Sequence, residues 1–234
     1  MKSTLLFASC FIAFTIIGTL THELGHYFAG KSLGLSCTLH YQYCRCLSYE
    51  KEERLAYGKA LFKQYGTRDS IPQELLDHYQ YLTDQEPDVN RLWLIIGGPL
   101  QTITTGLIGF GLLLRRRKFH ALLFNRTDWL LVFLSLFWLR QPFNLLMAIT
   151  SKVLLGNESF FGTGNDEVKI ARELNIWDGA VSISTAIIGL AISLFVIFKI
   201  VPQPSRSKFI LGGLIGGIVG FILWMYILGP LILP

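Results

Sequence analysis

The 234-residue chain is 51% hydrophobic and only 16% charged, against about 25% charged residues in soluble globular domains. Apolar stretches near or above the roughly 20 residues that cross a bilayer recur along it, which excludes a soluble protein built on one core. The formal charge of +5 sits in short segments beside those stretches, where cations meet lipid headgroups, and so does not indicate a nucleic-acid partner.

The first apolar span runs from Thr4 to about Lys31. Lys2 and the run from Leu5 would suit a secretory leader. The apolar character continues beyond Leu20, however, and cleavage near Cys10 would shorten the helix, so the segment is read as a membrane helix. Within it stands His22-Glu23-Leu24-Gly25-His26, an HExxH pattern. Residues four apart share one helix face, so both imidazoles can reach one ion while Glu23 stays close enough to handle the proton of a nucleophilic water. Two histidines and a glutamate in lipid without a cation would leave costly unsatisfied groups. The expectation is therefore a Zn2+ site with His22 and His26 as ligands and Glu23 as general base. Gly25 leaves room for a substrate or a neighbouring helix, and Thr21 is a candidate support for a ligand.

The segment from Leu35 to Asn90 is a polar insert. Leu35 to Cys46 is aromatic, β-branched and loosely alternating, which predicts one or two strands, as a hairpin at the membrane surface. Glu50 to about Gln64 is helix-compatible, and Ser70, Pro72 and Glu74 mark a capped start for a helix through Tyr81. Cys37, Cys44 and Cys46 cluster here. They are read as unlinked thiols or as one disulfide with a free thiol; a second metal site with His40 is the sharper alternative, though no paired CxxC spacing supports it.

Further spans are expected at Leu92–Leu114, Trp129–Thr150, Ala180–Val201 and Phe209–Leu233. Gly97-Gly98-Pro99 near the start of the second either kinks it or admits another helix closely. The third holds Arg140 in mid-span, with Asn144 one turn away. This pair is expected to face the site and stabilise the oxyanion of a tetrahedral intermediate, against the simpler reading of an interhelical contact. Asn157-Glu158-Ser159 fits a glycosylation sequon. The third ligand is sought after this span, because its C-terminal end emerges on the same face as that of the first. Asp166 is the best candidate and Glu167 the next; the competing reading is that Asn165, Asp166 and Glu167 merely form the acidic first turn of a helix. The glycines Gly212, Gly213, Gly216, Gly217 and Gly220 of the fifth span predict tight helix packing. Arg115, Arg116, Arg117, Lys118 and Arg126, with Lys199, Arg206 and Lys208, fall on the side of Lys2, which the positive-inside rule makes cytoplasmic; the site then lies in the outward half.

Together these features resemble the site-2 protease family of intramembrane zinc metalloproteases. There, HExxH lies on a membrane helix, a Gly-Pro segment opens a later helix, and an aspartate in a Leu-Asp-Gly motif completes the metal site. Here His22, Glu23 and His26 match the first motif, and Gly98-Pro99-Leu100 the second, with Thr102 where asparagine is frequent. Asn165-Asp166-Glu167-Val168-Lys169-Ile170 overlies Leu-Asp-Gly-Gly-Lys-Ile with both glycines lost, which leaves the third ligand open between Asp166 and Glu167. The resemblance covers residues 15 to 175 and includes no segment like a PDZ domain. It implies zinc held by His22, His26 and Asp166, a membrane-protein or peptide substrate, and an insert that receives substrate as a strand. Family members often place the site nearer the cytoplasm than the charge pattern does here.

The expected fold is thus an α-helical polytopic membrane protein with about five transmembrane helices and a small α/β insert between the first and second. The divisions are residues 1–34 for the HExxH helix, 35–90 for the insert, 91–177 for spans two and three with the ligand loop, and 178–234 for spans four and five. The setting is the lipid bilayer, with a bacterial plasma membrane as the expected location. An inactive metal-binding membrane scaffold and a zinc membrane hydrolase of a non-protein substrate are the alternatives. A transporter fits poorly, because spans two, four and five carry no His, Asp or Glu in their cores.

Overall fold

The computed structural model describes residues 2–85, 87, 89–119, 124–156, 160–162 and 164–233. The Asn157-Glu158-Ser159 sequon and Thr163 lie outside the described residues. Five helical segments are long and apolar enough to cross a membrane: Ser3–Ser32, Arg91–Lys118, Arg126–Leu154, Gly179–Ile200 and Gln203–Ile232. They coincide with the five expected stretches. Bulky side chains such as Leu6, Leu107, Ile187 and Ile218 are exposed on their outer faces, as in a bundle whose solvent is lipid. The architecture is consistent with a multi-pass membrane protein.

Helix α1 (Lys2–Ser32) is followed by strands β1 (Ser36–Leu39) and β2 (Cys44–Leu47), which pair antiparallel with Cys37 opposite Cys46. The expected hairpin is therefore present. Helix α2 (Tyr49–Tyr65) starts at Ser48, whose hydroxyl accepts the Lys51 N–H at 3.2 Å, and stops at Gly66 with φ 77°. Helix α3 (Gln73–Asp84) begins after Pro72 without a side-chain cap. Ser70 is thus not its cap: it closes a 3-10 turn (Arg68–Ser70) and bonds the Thr67 hydroxyl.

Helix α4 (Arg91–Phe119) carries Gly97, Gly98 and Pro99 in its interior rather than at its start. Span three is composite. Helix α5 (Arg126–Ser135) opens with a reciprocal capping box between Asn125 and Asp128; a 3-10 stretch (Leu136–Leu139) follows, then α6 (Arg140–Leu155), which ends at Gly156 in the left-handed conformation. Helix α7 (Asp166–Glu173) is short. Helix α8 (Gly179–Phe195) runs into a π-helical turn (Val196–Ile200). Helix α9 (Gln203–Ile222) starts a turn earlier than its apolar run, with Pro204 in its first turn, and continues through a π-helical segment (Leu223–Leu228) into α10 (Gly229–Ile232).

Helix α1 lies between α4 and α9. Its N-terminal half packs through an aromatic cluster of Phe7, Phe11, Trp129, Phe133 and Phe209. The fifth-span glycines work as expected, and their partner is α1. A Cβ at Gly212, Gly216 or Gly220 would strike the backbone at Thr4, Ala8 or Ile12, whereas Gly217 faces open space. At the opposite end, the hairpin sits on α1, and its turn is tied to the fifth span by Trp224 Nε1 donating to the Tyr41 carbonyl at 2.8 Å. Arg91 and Glu173 approach to 3.5 Å at that same end and link α4 to α7. The insert, α7 and the end of the fifth span therefore share one end of the bundle.

Gly216→Leu is expected to destabilise the purified protein in detergent by about 1–3 kcal/mol, the usual cost of overpacking. Gly217→Leu should leave the thermal unfolding midpoint near that of the wild type.

Candidate metal centre

The site begins with an unusually close approach of α1 and α4. A Cβ on Gly25 would overlap the Gly97 carbonyl, and one on Gly97 would overlap the Gly25 carbonyl. Only a glycine pair lets the two backbones meet at this depth. Gly25 therefore admits the neighbouring helix, and the Gly97-Gly98 segment serves the same end. Gly98 adds a second effect: its bare Cα faces the Nε2 atoms of both His22 and His26, so a side chain there would fill the space into which the rings point.

Helix α4 also fixes the two rings. His26 Nδ1 lies 2.9 Å from the Leu94 carbonyl oxygen. A carbonyl can only accept, so Nδ1 carries the hydrogen and Nε2 is left as the lone-pair nitrogen. His22 Nδ1 lies 2.9 Å from Thr102 Oγ1, whose hydroxyl donates to the Gly98 carbonyl at 3.2 Å. The hydroxyl hydrogen being used there, Thr102 accepts from His22 Nδ1–H. Both histidines thus turn lone-pair nitrogens to the same place, the tautomer that metal-ligating histidines adopt. Thr102 is the residue that supports His22. Thr21 does not have this part: its hydroxyl turns back to the Gly18 carbonyl at 3.4 Å.

Asp166 reaches this place from α7. Its Oδ2 lies 3.1 Å from His22 Nε2 and 3.1 Å from His26 Nε2. Lys169 Nζ holds the other oxygen, Oδ1, at 3.3 Å. Glu167 points elsewhere: it is buried and accepts from Asn144 Nδ2 at 3.2 Å. Burial, with the Asp166 charge adding to it, raises its carboxyl above the ordinary value. Asp166, not Glu167, meets the histidines. The competing reading of this segment also holds, since α7 begins at Asp166 with both acids in its first turn. Asn165 takes the capping position, but its side chain donates to the Phe161 carbonyl instead.

Two lone-pair nitrogens and a carboxylate oxygen within 4.8 Å of one another repel unless protons or a cation lie between them. Two nitrogens and one oxygen form a donor set that suits zinc, whose tetrahedral ligand atoms stand about 3.3 Å apart for bonds near 2.0 Å. The residues fit the ion.

Glu23 is 5% exposed. Its carboxylate accepts the backbone N–H of Cys44 in β2, and its Oε1 lies 3.9 Å from Arg140 Nη2. Arg140 thus comes to the glutamate of the motif, while Asn144 secures α7 through Glu167. Thr102, Arg140 and Asn144 also border a mostly apolar cavity of about 620 Å³, walled by residues such as Phe14, Phe137, Phe143 and Leu214.

The second metal site with His40 does not form. Cys37 and Cys46 are joined in a disulfide, Cys44 is a free thiol, and the His40 ring stacks on Tyr43. Burial, with the Glu23 carboxylate adding to it, pushes the Cys44 thiol up to about 11.

No family model, curated protein or solved structure matches the chain.

Thr102→Val, which keeps the shape and removes the acceptor, is expected to weaken zinc binding by about 10- to 100-fold. Thr21→Val should bind zinc as the wild type does. Competition against a fluorescent chelator measures both.

Proposed function

We propose that the chain is a zinc-dependent intramembrane protease that hydrolyses a peptide bond of membrane-protein substrates within or beside the bilayer. The observation that carries this reading is the convergence of His22 Nε2, His26 Nε2 and Asp166 Oδ2, with the Glu23 carboxylate one residue from a ligand and buried beside it. His22, His26 and Asp166 would hold the ion. When bound, zinc supplies a Lewis acid that acidifies water and polarises a carbonyl.

The remaining work falls to the chain's own side chains. Glu23 takes the proton of the attacking water and passes it to the leaving amine nitrogen. The Cys44 N–H faces that carboxylate. Arg140, in reach of Glu23 and at the rim of the apolar cavity, supplies positive charge where the oxyanion develops. Asn144 acts as a positioning residue: it holds Glu167 and, with it, the turn that delivers Asp166. A substrate helix keeps its carbonyls in internal hydrogen bonds and must unwind before attack. The unpaired edges of the hairpin suit an extended segment, which would add to them as a strand.

In a cleavage assay on membrane-protein substrates reconstituted in vesicles, Glu23→Gln should keep one zinc per chain. Its turnover should fall by about 10²- to 10⁴-fold. Cleavage equal to the wild type would remove the protease reading and leave the inactive scaffold or a different hydrolase. Asp166→Asn should lose zinc by elemental analysis, whereas Glu167→Gln should retain it. Arg140→Ala is expected to abolish turnover with zinc stoichiometry intact; loss of the folded protein would instead mark Arg140 as a structural contact.

A further inference from the structure

The hairpin carries chemistry that hydrolysis does not use. Cys37 and Cys46 stand opposite each other on β1 and β2 and are disulfide-linked. Cys44 lies two residues before Cys46 on the same strand, so both project from the same face. Its Sγ is 3.7 Å from Cys46 Sγ, at van der Waals contact. All three sulfurs fall within 4.8 Å of one another. The disulfide is seated on α1 over Gly30, where a Cβ would run into both of its sulfurs, and Cys46 Sγ approaches the His26 carbonyl at 3.9 Å. The free thiol and the disulfide thus form one packed group that lies directly over the HExxH helix.

We propose that Cys37, Cys44 and Cys46 form an internal thiol–disulfide exchange unit whose isomers set the position of Glu23. The exchange is neutral in electrons. The Cys44 thiol loses its proton, its sulfur bonds to Cys46 Sγ, the Cys37–Cys46 bond breaks, and Cys37 leaves as a thiolate that takes up a proton. No oxidant or reductant is consumed. The protonated state of Cys44 makes the attacking thiolate scarce at neutral pH. Attack within one packed group offsets this, because effective concentrations in such reactions reach about 10⁵ M or more.

The mechanical consequence follows from strand geometry. Residues two apart on one face of a strand have Cβ atoms about 6.6 Å apart, well beyond the roughly 3.5–4.5 Å that a disulfide allows. A Cys44–Cys46 link therefore buckles β2 at Arg45 and releases β1. The backbone N–H that Cys44 gives to Glu23 moves with it. The native Cys37–Cys46 isomer is the form in which Glu23 is held; the exchanged isomer is the slack form. This control of turnover rests on the protease reading, whereas the exchange itself does not.

The test uses the full chain in detergent, equilibrated across glutathione redox buffers and quenched with N-ethylmaleimide. Peptide mapping by mass spectrometry then locates the disulfide, and peptide hydrolysis is measured on the same samples. The expected result is a redox window with a Cys44–Cys46 link and alkylated Cys37, and hydrolysis at least tenfold slower in samples enriched in that isomer. Cys44→Ser should show only the Cys37–Cys46 link or full reduction, with no intermediate window. Two results would overturn the proposal. One is alkylation of Cys44 alone until Cys37 and Cys46 become labelled together; the other is an exchanged isomer that hydrolyses as fast as the native one. Absence of hydrolysis in every sample, the native isomer included, sinks the protease reading instead, while the mapping still decides whether exchange occurs.

Discussion

The contact of Gly25 with Gly97 is the constraint on which the site depends. In lipid, helices gain nothing from hiding apolar surface from water, so close van der Waals approach and a few interhelical hydrogen bonds set their spacing. Where two glycines meet, the backbones of α1 and α4 come near enough for α4 to act as a template for the α1 histidines. It offers a carbonyl to His26, a hydroxyl to His22 and a vacancy at Gly98 for both rings. Any larger residue at the crossing would separate the helices and remove all three together. The glycine ridge of α9 holds the other flank of α1, so the helix that carries both histidines is clamped between two glycine-lined neighbours.

Much of this was legible in the sequence. Hydropathy is a strong signal over twenty residues, and the five apolar segments, the hairpin of the insert and the packing role of the fifth-span glycines could be read from local pattern. The HExxH spacing placed His22 and His26 on one helix face, with Glu23 beside it, by geometry alone. The choice between Asp166 and Glu167 could not be made that way, because neighbouring residues in a helical first turn point about 100° apart, and the direction of α7 is set by tertiary packing. Thr102 stood at a position the resemblance had marked, yet nothing local tied it to His22, eighty residues earlier. Thr21 was the nearer hydroxyl in sequence, but its own helix offers it a carbonyl. Leu94 acts through its backbone, and so leaves no trace in residue type. The pairing within Cys37, Cys44 and Cys46 needed the strand register.

The first turn of α7 illustrates how one segment answers to two demands. Acidic residues suit a helix N-terminus because the free N–H groups and the helix dipole favour negative charge. Here one of the two acids looks outward to the histidines and the other inward to Asn144. Lys169, one turn on, occupies the spare oxygen of Asp166 and leaves a single oxygen for the site. Span three contributes in a similar way. Its 3-10 stretch ends at Leu139, and the α-helix that starts at Arg140 carries that side chain to Glu23 and Asn144 to Glu167.

The two histidines differ in how they are secured, and this gives them unequal exposure to genetic drift. Thr102 holds His22 with a side-chain oxygen, a function that serine or asparagine can assume, so the position is free to wander among small hydrogen-bonding residues. His26 is held by the main-chain oxygen of Leu94, which every amino acid possesses. Codon changes at 94 leave that oxygen in the chain, and only chemical replacement of the amide by an ester would weaken it. One half of the cradle is thus written in the genetic code, and the other in the polypeptide backbone itself.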